Sequence, residues 1–186
     1  DLCEFPLHAW NDLRLAPAFA LRHGLSPYPG VGQGPLFTWI YGPVPLLLNL
    51  PATFAADVVG ALQAAWAINV LVLVAPLAVI FLGAGELRAR GPAAGAFALA
   101  LAILLIPRPN LVFHVADHAA IAAGLLSCWT LARPELLTGR HLAAAAAWCA
   151  LAVWSKQIAV FLVPAQLVFL LLSAGPRFAG SYLAWV

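Results

Sequence analysis

Apolar residues run through this chain in stretches long enough to cross a bilayer core, which takes roughly 20 residues of helix. Residues 57–82 form one long continuous run. Residues 93–106 form a slightly short one, closed by Pro107-Arg108-Pro109-Asn110. Further runs cover 114–131, 142–154 and 158–173, the last closed by Gly175-Pro176-Arg177, and another helix starts at 181. Polar loops separate them at 83–92, at 133–141 and at Ser155-Lys156-Gln157. Residues 1–56 read differently. A short amphipathic helix is expected over 11–23, with Asn11 or Asp12 as N-cap and Gly24 as the stop. A turn follows at Ser26-Pro27-Tyr28-Pro29-Gly30. A second short apolar helix, 43–55, is only about half a span long and reads as interfacial or re-entrant. The predicted fold is all-α: a polytopic transmembrane helical bundle with two short interfacial helices in a first extracytoplasmic loop.

Composition strengthens that reading. The chain is 64% hydrophobic and 9% charged, with a mean hydropathy of +0.96. Soluble domains carry about 25% charged residues, so nine Lys plus Arg and seven Asp plus Glu cannot coat a water-facing surface. A net charge of +2 gives no reason to expect a nucleic-acid partner. Cys3, Cys128 and Cys149 have no metal-ligand or disulfide spacing. The chain opens at Asp1, lacks Met and ends in an apolar stretch, which reads as a piece truncated at both ends. Its Ala, Gly, Leu and Arg content suggests a bacterial source, hence an inner membrane.

Loop charge sets the expected orientation. If the runs weave, one side collects Arg88, Arg90, Arg133, Arg140 and Arg177, and the other collects Arg108 and Lys156. Five against two in the short loops makes the first side cytoplasmic. Asp12, Tyr41, His114, Asp117 and Lys156 then gather on the extracytoplasmic side.

Ionisable residues at a membrane are costly, so each is a candidate. Asp12 can act as a general base or simply cap a helix. His114, Asp117 and His118 share one helix face and can converge on an ion or a phosphate, though three residues are a thin metal set. They equally suit a polar helix start. Lys156 suits a lipid-linked phosphate or an interfacial anchor beside Trp154. Arg14 and Arg22 can pair with phosphate or hold lipid headgroups. Tyr28, Trp39 and Tyr41 read as belt aromatics or as sugar-stacking platforms.

Four motifs in order then resemble a known family. They are Asn11-Asp12-Leu13-Arg14 leading to Gly24-Leu25-Ser26-Pro27-Tyr28, then Tyr41-Gly42-Pro43, then His114-Val115-Ala116-Asp117, then Trp154-Ser155-Lys156-Gln157. The chain resembles the GT-C superfamily of integral membrane glycosyltransferases, near family 39 and the polyprenyl-phosphate-dependent transferases. The resemblance implies that Asp12 is the base activating the acceptor and that Asp117 shapes the site or helps to hold an ion. His114 and Tyr41 would also shape the site, and Lys156, with Arg14 as a looser match, would meet the donor phosphate. It implies a polyprenyl-phosphate-linked sugar as donor, a lipid, glycan or protein acceptor, and the bilayer as partner. No cofactor is certain, and a divalent metal on Asp117, His114 and His118 is conceivable. Family members commonly carry an acidic pair where this chain has Asn11-Asp12, and Glu-Lys-Pro-Pro where it has Ile40-Tyr41-Gly42-Pro43. Those departures remove one acidic and one basic partner, and leave metal use and donor class open. The competing readings are a transporter or flippase fragment and a non-catalytic polytopic membrane protein. A transporter would place polar groups near the midplane, commonly on broken helices in repeated halves.

Overall fold

The computed structural model describes residues 9–30, 32–33, 39–84, 115–132 and 137–186, and for residues 9–14, 84 and 115–116 the backbone alone. The span predicted at 93–106, the loop around Arg88 and Arg90, and His114 lie outside those residues. The described residues are all-α, without a strand.

Helix α1 (Ala9–Arg22) ends in a turn that needs a left-handed residue. Gly24 supplies it at φ 75°, its N–H reaching Leu21 O at 3.0 Å and that of Leu25 reaching Ala20 O at 2.9 Å. These two bonds satisfy carbonyls that a helix end otherwise leaves open. Helix α2 (Pro43–Asn49) starts with Pro at its first position, where a missing N–H costs nothing. Pro51 then prevents a regular continuation, and Leu50–Phe54 tighten into a 3-10 turn. The predicted 43–55 helix is therefore two short pieces.

Helix α3 (Val58–Ala84) begins where the Asp57 carboxylate accepts the Gly60 N–H at 2.7 Å, a side-chain cap. Its Val58–Gly83 portion is the one described helix long and apolar enough to cross a membrane, and only 28% of its most apolar window is buried in the protein. A core helix of a soluble domain would be mostly covered. Here Leu71 and Leu82 are 65% and 76% exposed, which water tolerates poorly and lipid does not penalise.

Helices α4 (Val115–Leu131) and α5 (Gly139–Ser155) form an antiparallel hairpin with the most extensive packing among the described elements. Small residues make it close: Ala119, Ala122 and Ala123 on α4 meet a partner with Ala145, Ala146, Cys149 and Ala152 buried. Small side chains let the two backbones approach closely, and the contact is then made of many short van der Waals contacts. Helix α5 begins earlier than the predicted 142, taking in residues assigned to the 133–141 loop. Thr138 stands at its start in extended conformation, with its hydroxyl 2.8 Å from His141 Nδ1. At the other end Lys156 is extended (φ −150°, ψ 122°), and the chain turns at once into a 3-10 turn, Gln157–Phe161. Helix α6 (Leu162–Ser173) follows. Gly175, at φ 91°, ends it and admits α7 (Pro176–Leu183), which starts five residues before the expected 181.

Two apolar clusters hold these parts. Leu15 and Ala18 of α1 pack with Ala52 and with Ala61, Leu62 and Ala65 of α3. Leu131, Leu142, Ala145, Leu170 and Tyr182 join α4, α5, α6 and α7. Helix α3 lies alongside α4, in the same direction: an added Cβ on Gly83 would meet Trp129 at 2.7 Å, C-terminal end to C-terminal end.

Several polar side chains inside the helices are bonded internally, while Asn49 Oδ1 and His118 Nδ1 are buried without a hydrogen bond. Asn69, Thr130, Ser155 and Ser173 each donate to the carbonyl four residues back at 2.7 Å, a local way to satisfy a polar group in an apolar helix. Ser127 and Gln166 reach further. Ser127 Oγ donates to Ala145 O at 2.7 Å and accepts from Gln166 Nε2 at 2.8 Å, while Tyr182 donates to Gln166 Oε1. The amide of Gln166 ties α4, α6 and α7, and the Ser127 hydroxyl adds α5. Replacing Gln166 with Ala leaves the Tyr182 hydroxyl buried without its acceptor, so Gln166→Ala is expected to cost about 1–3 kcal/mol. Thermal unfolding in detergent should show a lower midpoint than for Val168→Ala on the exposed face.

Candidate functional site

The candidate site forms at one end of the α4–α5 hairpin, because antiparallel packing brings the start of α4 to the end of α5. Asp117 lies in the first turn of α4, and Lys156 is the first residue past α5. Their side chains form an ion pair, Nζ to Oδ1, with the side chains 30% and 31% exposed. The pair is neither open to bulk solvent nor sealed. A ligand can reach it, while partial desolvation strengthens its Coulomb attraction beyond that of a surface pair.

Residues 39–42 lie across this end as a strap. Gly42 explains why they fit: a Cβ there would fall 1.7 Å from Trp154 O, so only glycine permits backbone to rest on the last turn of α5. Gln157 fastens the same strap, its Nε2 donating to Ile40 O at 3.0 Å. Tyr41 is thereby held over the cation, with Lys156 Nζ 5.9 Å from its ring centroid, at the outer limit for a cation–π contact.

The strap is joined by a residue from the preceding turn. The Tyr28 hydroxyl donates to Tyr41 O at 2.8 Å and accepts from Trp39 Nε1 at 3.2 Å. Trp39 is buried and meets Tyr41 edge-on, centroids 5.3 Å apart and planes at 80°, a favoured aromatic geometry. The Ser26 hydroxyl accepts the Tyr28 N–H at 3.2 Å, closing the Ser-Pro-Tyr turn.

Arg22 stands apart from this group. Its guanidinium donates to Thr53 O and lies 4.4 Å from the Phe54 ring centroid, tying α1 to the 3-10 turn before α3. That contact fills the role of a helix clasp, with no ligand needed to explain Arg22.

Of the predicted residues, Asp117, Lys156 and Tyr41 come together. His118 is buried beside Asp117 on α4. Asp12 and Arg14 fall within α1, but their side chains lie outside the described residues, as does His114. Helix α1 packs on α2, which itself packs on α4 and α5. Among the described residues no three His, Cys, Asp or Glu side chains form a metal-binding group, and the carboxylate of Asp117 is engaged by Lys156. Sequence reading missed what Gly42 and Gln157 do. Gly42 stood inside a quoted motif, but close approach of two backbones leaves no signal beyond the glycine itself.

Comparisons of the chain with protein-family models, with curated proteins and with solved structures find no match.

Two outcomes check this geometry. Gly42→Ala should unseat the strap, costing about 1–3 kcal/mol as overpacking does, seen as a lower unfolding midpoint. In a double-mutant cycle, Asp117→Asn and Lys156→Met should couple by about 1 kcal/mol, whereas Arg177→Met with Asp117→Asn should show no coupling.

Proposed function

We propose that this chain belongs to an integral membrane glycosyltransferase of the GT-C type, moving a sugar from a polyprenyl-phosphate donor to an acceptor. The site would face the extracytoplasmic side, in our reading of a bacterial inner membrane. The observation that carries the proposal is the meeting of Lys156, Asp117 and Tyr41 at one end of the hairpin, beneath the N-terminal helices.

A multi-spanning arrangement is part of this reading. Besides α3, helices α4 and α5 and the run Gln157–Ser173 are each 17 residues long. A helix of that length extends about 25 Å, close to the roughly 30 Å of a hydrocarbon core. Leu172 and Phe161 are 82% and 71% exposed, which suits lipid contact. Helices α3 and α4 run in the same direction, so a weaving chain needs a return crossing between them, the role expected of 93–106.

The chemistry follows from charge. The donor carries its phosphate on a long apolar tail, so a bilayer-embedded enzyme meets it in its own solvent. Lys156 supplies a positive charge at the end of the hairpin, where it can offset the charge that develops on the departing lipid phosphate; Arg14 would assist. Asp117 orients Lys156 in the resting state. Asp12 is assigned as the base that takes the proton of the acceptor nucleophile. The nucleophile attacks the anomeric carbon as the bond to the lipid phosphate breaks, and this single displacement inverts the anomeric configuration.

The second reading, a non-catalytic membrane protein, would make Lys156 and Asp117 a structural pair only. A transfer assay separates the two. Full-length protein in membranes is supplied with labelled polyprenyl-phosphate sugars. Asp12→Asn should reduce labelled product about 10²-fold or more, and Lys156→Ala about 10²-fold, at equal protein level. Undiminished transfer by Asp12→Asn would remove it from the mechanism. Absence of transfer by the wild type across a broad donor panel would favour the structural reading.

A further inference from the structure

Tyr28 is oriented in a way that an interfacial anchor would not need. A tyrosine anchoring a membrane protein buries its ring among lipid and offers its hydroxyl to headgroups and water. Tyr28 does the reverse. Its hydroxyl is turned inward, donating to Tyr41 O and accepting from Trp39 Nε1, while the residue remains 49% exposed. The single hydroxyl proton is spent on Tyr41, so what is left for a ligand is chiefly the aromatic ring. Both ends of the residue are fixed: the hydroxyl by these two bonds, and the backbone N–H by Ser26. A ring immobilised before binding loses little rotamer freedom when a ligand arrives.

The surroundings define the ligand. Tyr28 is bonded to the backbone of Tyr41, whose ring is next to Lys156. Next to Tyr41 is the Lys156–Asp117 ion pair, whose two side chains are partly exposed. A purely apolar ligand would desolvate that half-open pair and offer it no hydrogen bond in return. A pyranose fits both features, with an apolar C–H face to lie on an aromatic ring and hydroxyls at its edge for hydrogen bonding. We propose that Tyr28 is a carbohydrate-stacking platform, held by Trp39 and the Tyr41 backbone, that receives the sugar ring of a ligand whose charged end lies toward Lys156. The proposal rests on the glycosyltransferase reading for the identity of the lipid-linked ligand, but the platform can be tested without it.

The test uses the full chain in lipid nanodiscs and saturation-transfer NMR with methyl α-mannopyranoside, methyl β-glucopyranoside and methyl β-galactopyranoside. Saturation should pass to the ring C–H protons of at least one glycoside. Tyr28→Ala should weaken that glycoside's binding about tenfold, as loss of an aromatic anchor does, and Tyr28→Phe, which keeps the ring but loses the two bonds that fix it, should weaken it less. Thermal unfolding of each variant keeps a folding defect from being mistaken for a lost site. If no glycoside receives saturation, or if Tyr28→Ala binds as the wild type does, the platform is overturned. Binding of sugar-free undecaprenyl phosphate, measured in parallel with Lys156→Ala, reports the donor-phosphate role separately. Glycoside contact without lipid-phosphate binding keeps the platform and sinks that role; lipid-phosphate binding without glycoside contact does the opposite.

Discussion

The constraint that shapes this molecule is that a polar group set among apolar helices has to find its partner within the protein. Among the described residues, Asp57 caps α3 and Asp117 pairs with Lys156, so these charges have a visible place in the architecture. Ser127 sits fully buried on α4, and its bonds to Ala145 O and Gln166 fix the register of α5 and the approach of α6. Tyr182 then brings α7 against the same amide. The packing of small residues between α4 and α5 allows the closeness, but apolar surfaces of this kind slide cheaply. It is the polar contacts that select one alignment, and that alignment sets Asp117 beside Lys156 at the far end of the hairpin.

The two ends of the hairpin therefore carry different kinds of polar contact. The Ser127–Gln166–Tyr182 network is sealed, each member bonded to another or to backbone, which suits a packing role. A transporter would be expected to open such groups to a substrate path. The Lys156–Asp117 pair is partly exposed and roofed by a glycine-bearing strap and aromatic rings. A partly exposed ion pair and a fixed aromatic surface in one place are what favour this end as the functional one.

Much of the helical content was legible because long apolar runs and glycine stops have direct physical causes. Gly24 and Gly175 end helices where a positive φ is needed, and Asp57 opens one where an N–H needs an acceptor. Boundaries near Thr138 and Pro176 were less legible, since polar residues there look like loop until a neighbouring helix supplies their packing. For the site, Lys156 and Asp117 stood out as charges in apolar surroundings. The strap did not. Ile40 gives Gln157 only its carbonyl, and a backbone acceptor has no signature in the side-chain sequence. Ser127 and Gln166 carry no charge and have no partner near in sequence, so nothing marked them in advance, although neutral amides and hydroxyls carry the interior.

The strap has a consequence for how the protein is made. Ile40 and Gln157 are 117 positions apart, and Gly42 rests on Trp154. At about 5–20 residues per second, the ribosome delivers residue 157 on the order of ten seconds after residue 40. During that interval the N-terminal segment has no end of α5 on which to settle, while α3 and α4 have already been synthesised. Assembly of the site is thus a late event in biogenesis, conditional on the hairpin being complete. A nascent chain that stalls before Lys156 would hold its aromatic strap unseated, open to quality-control factors, rather than present a half-formed site.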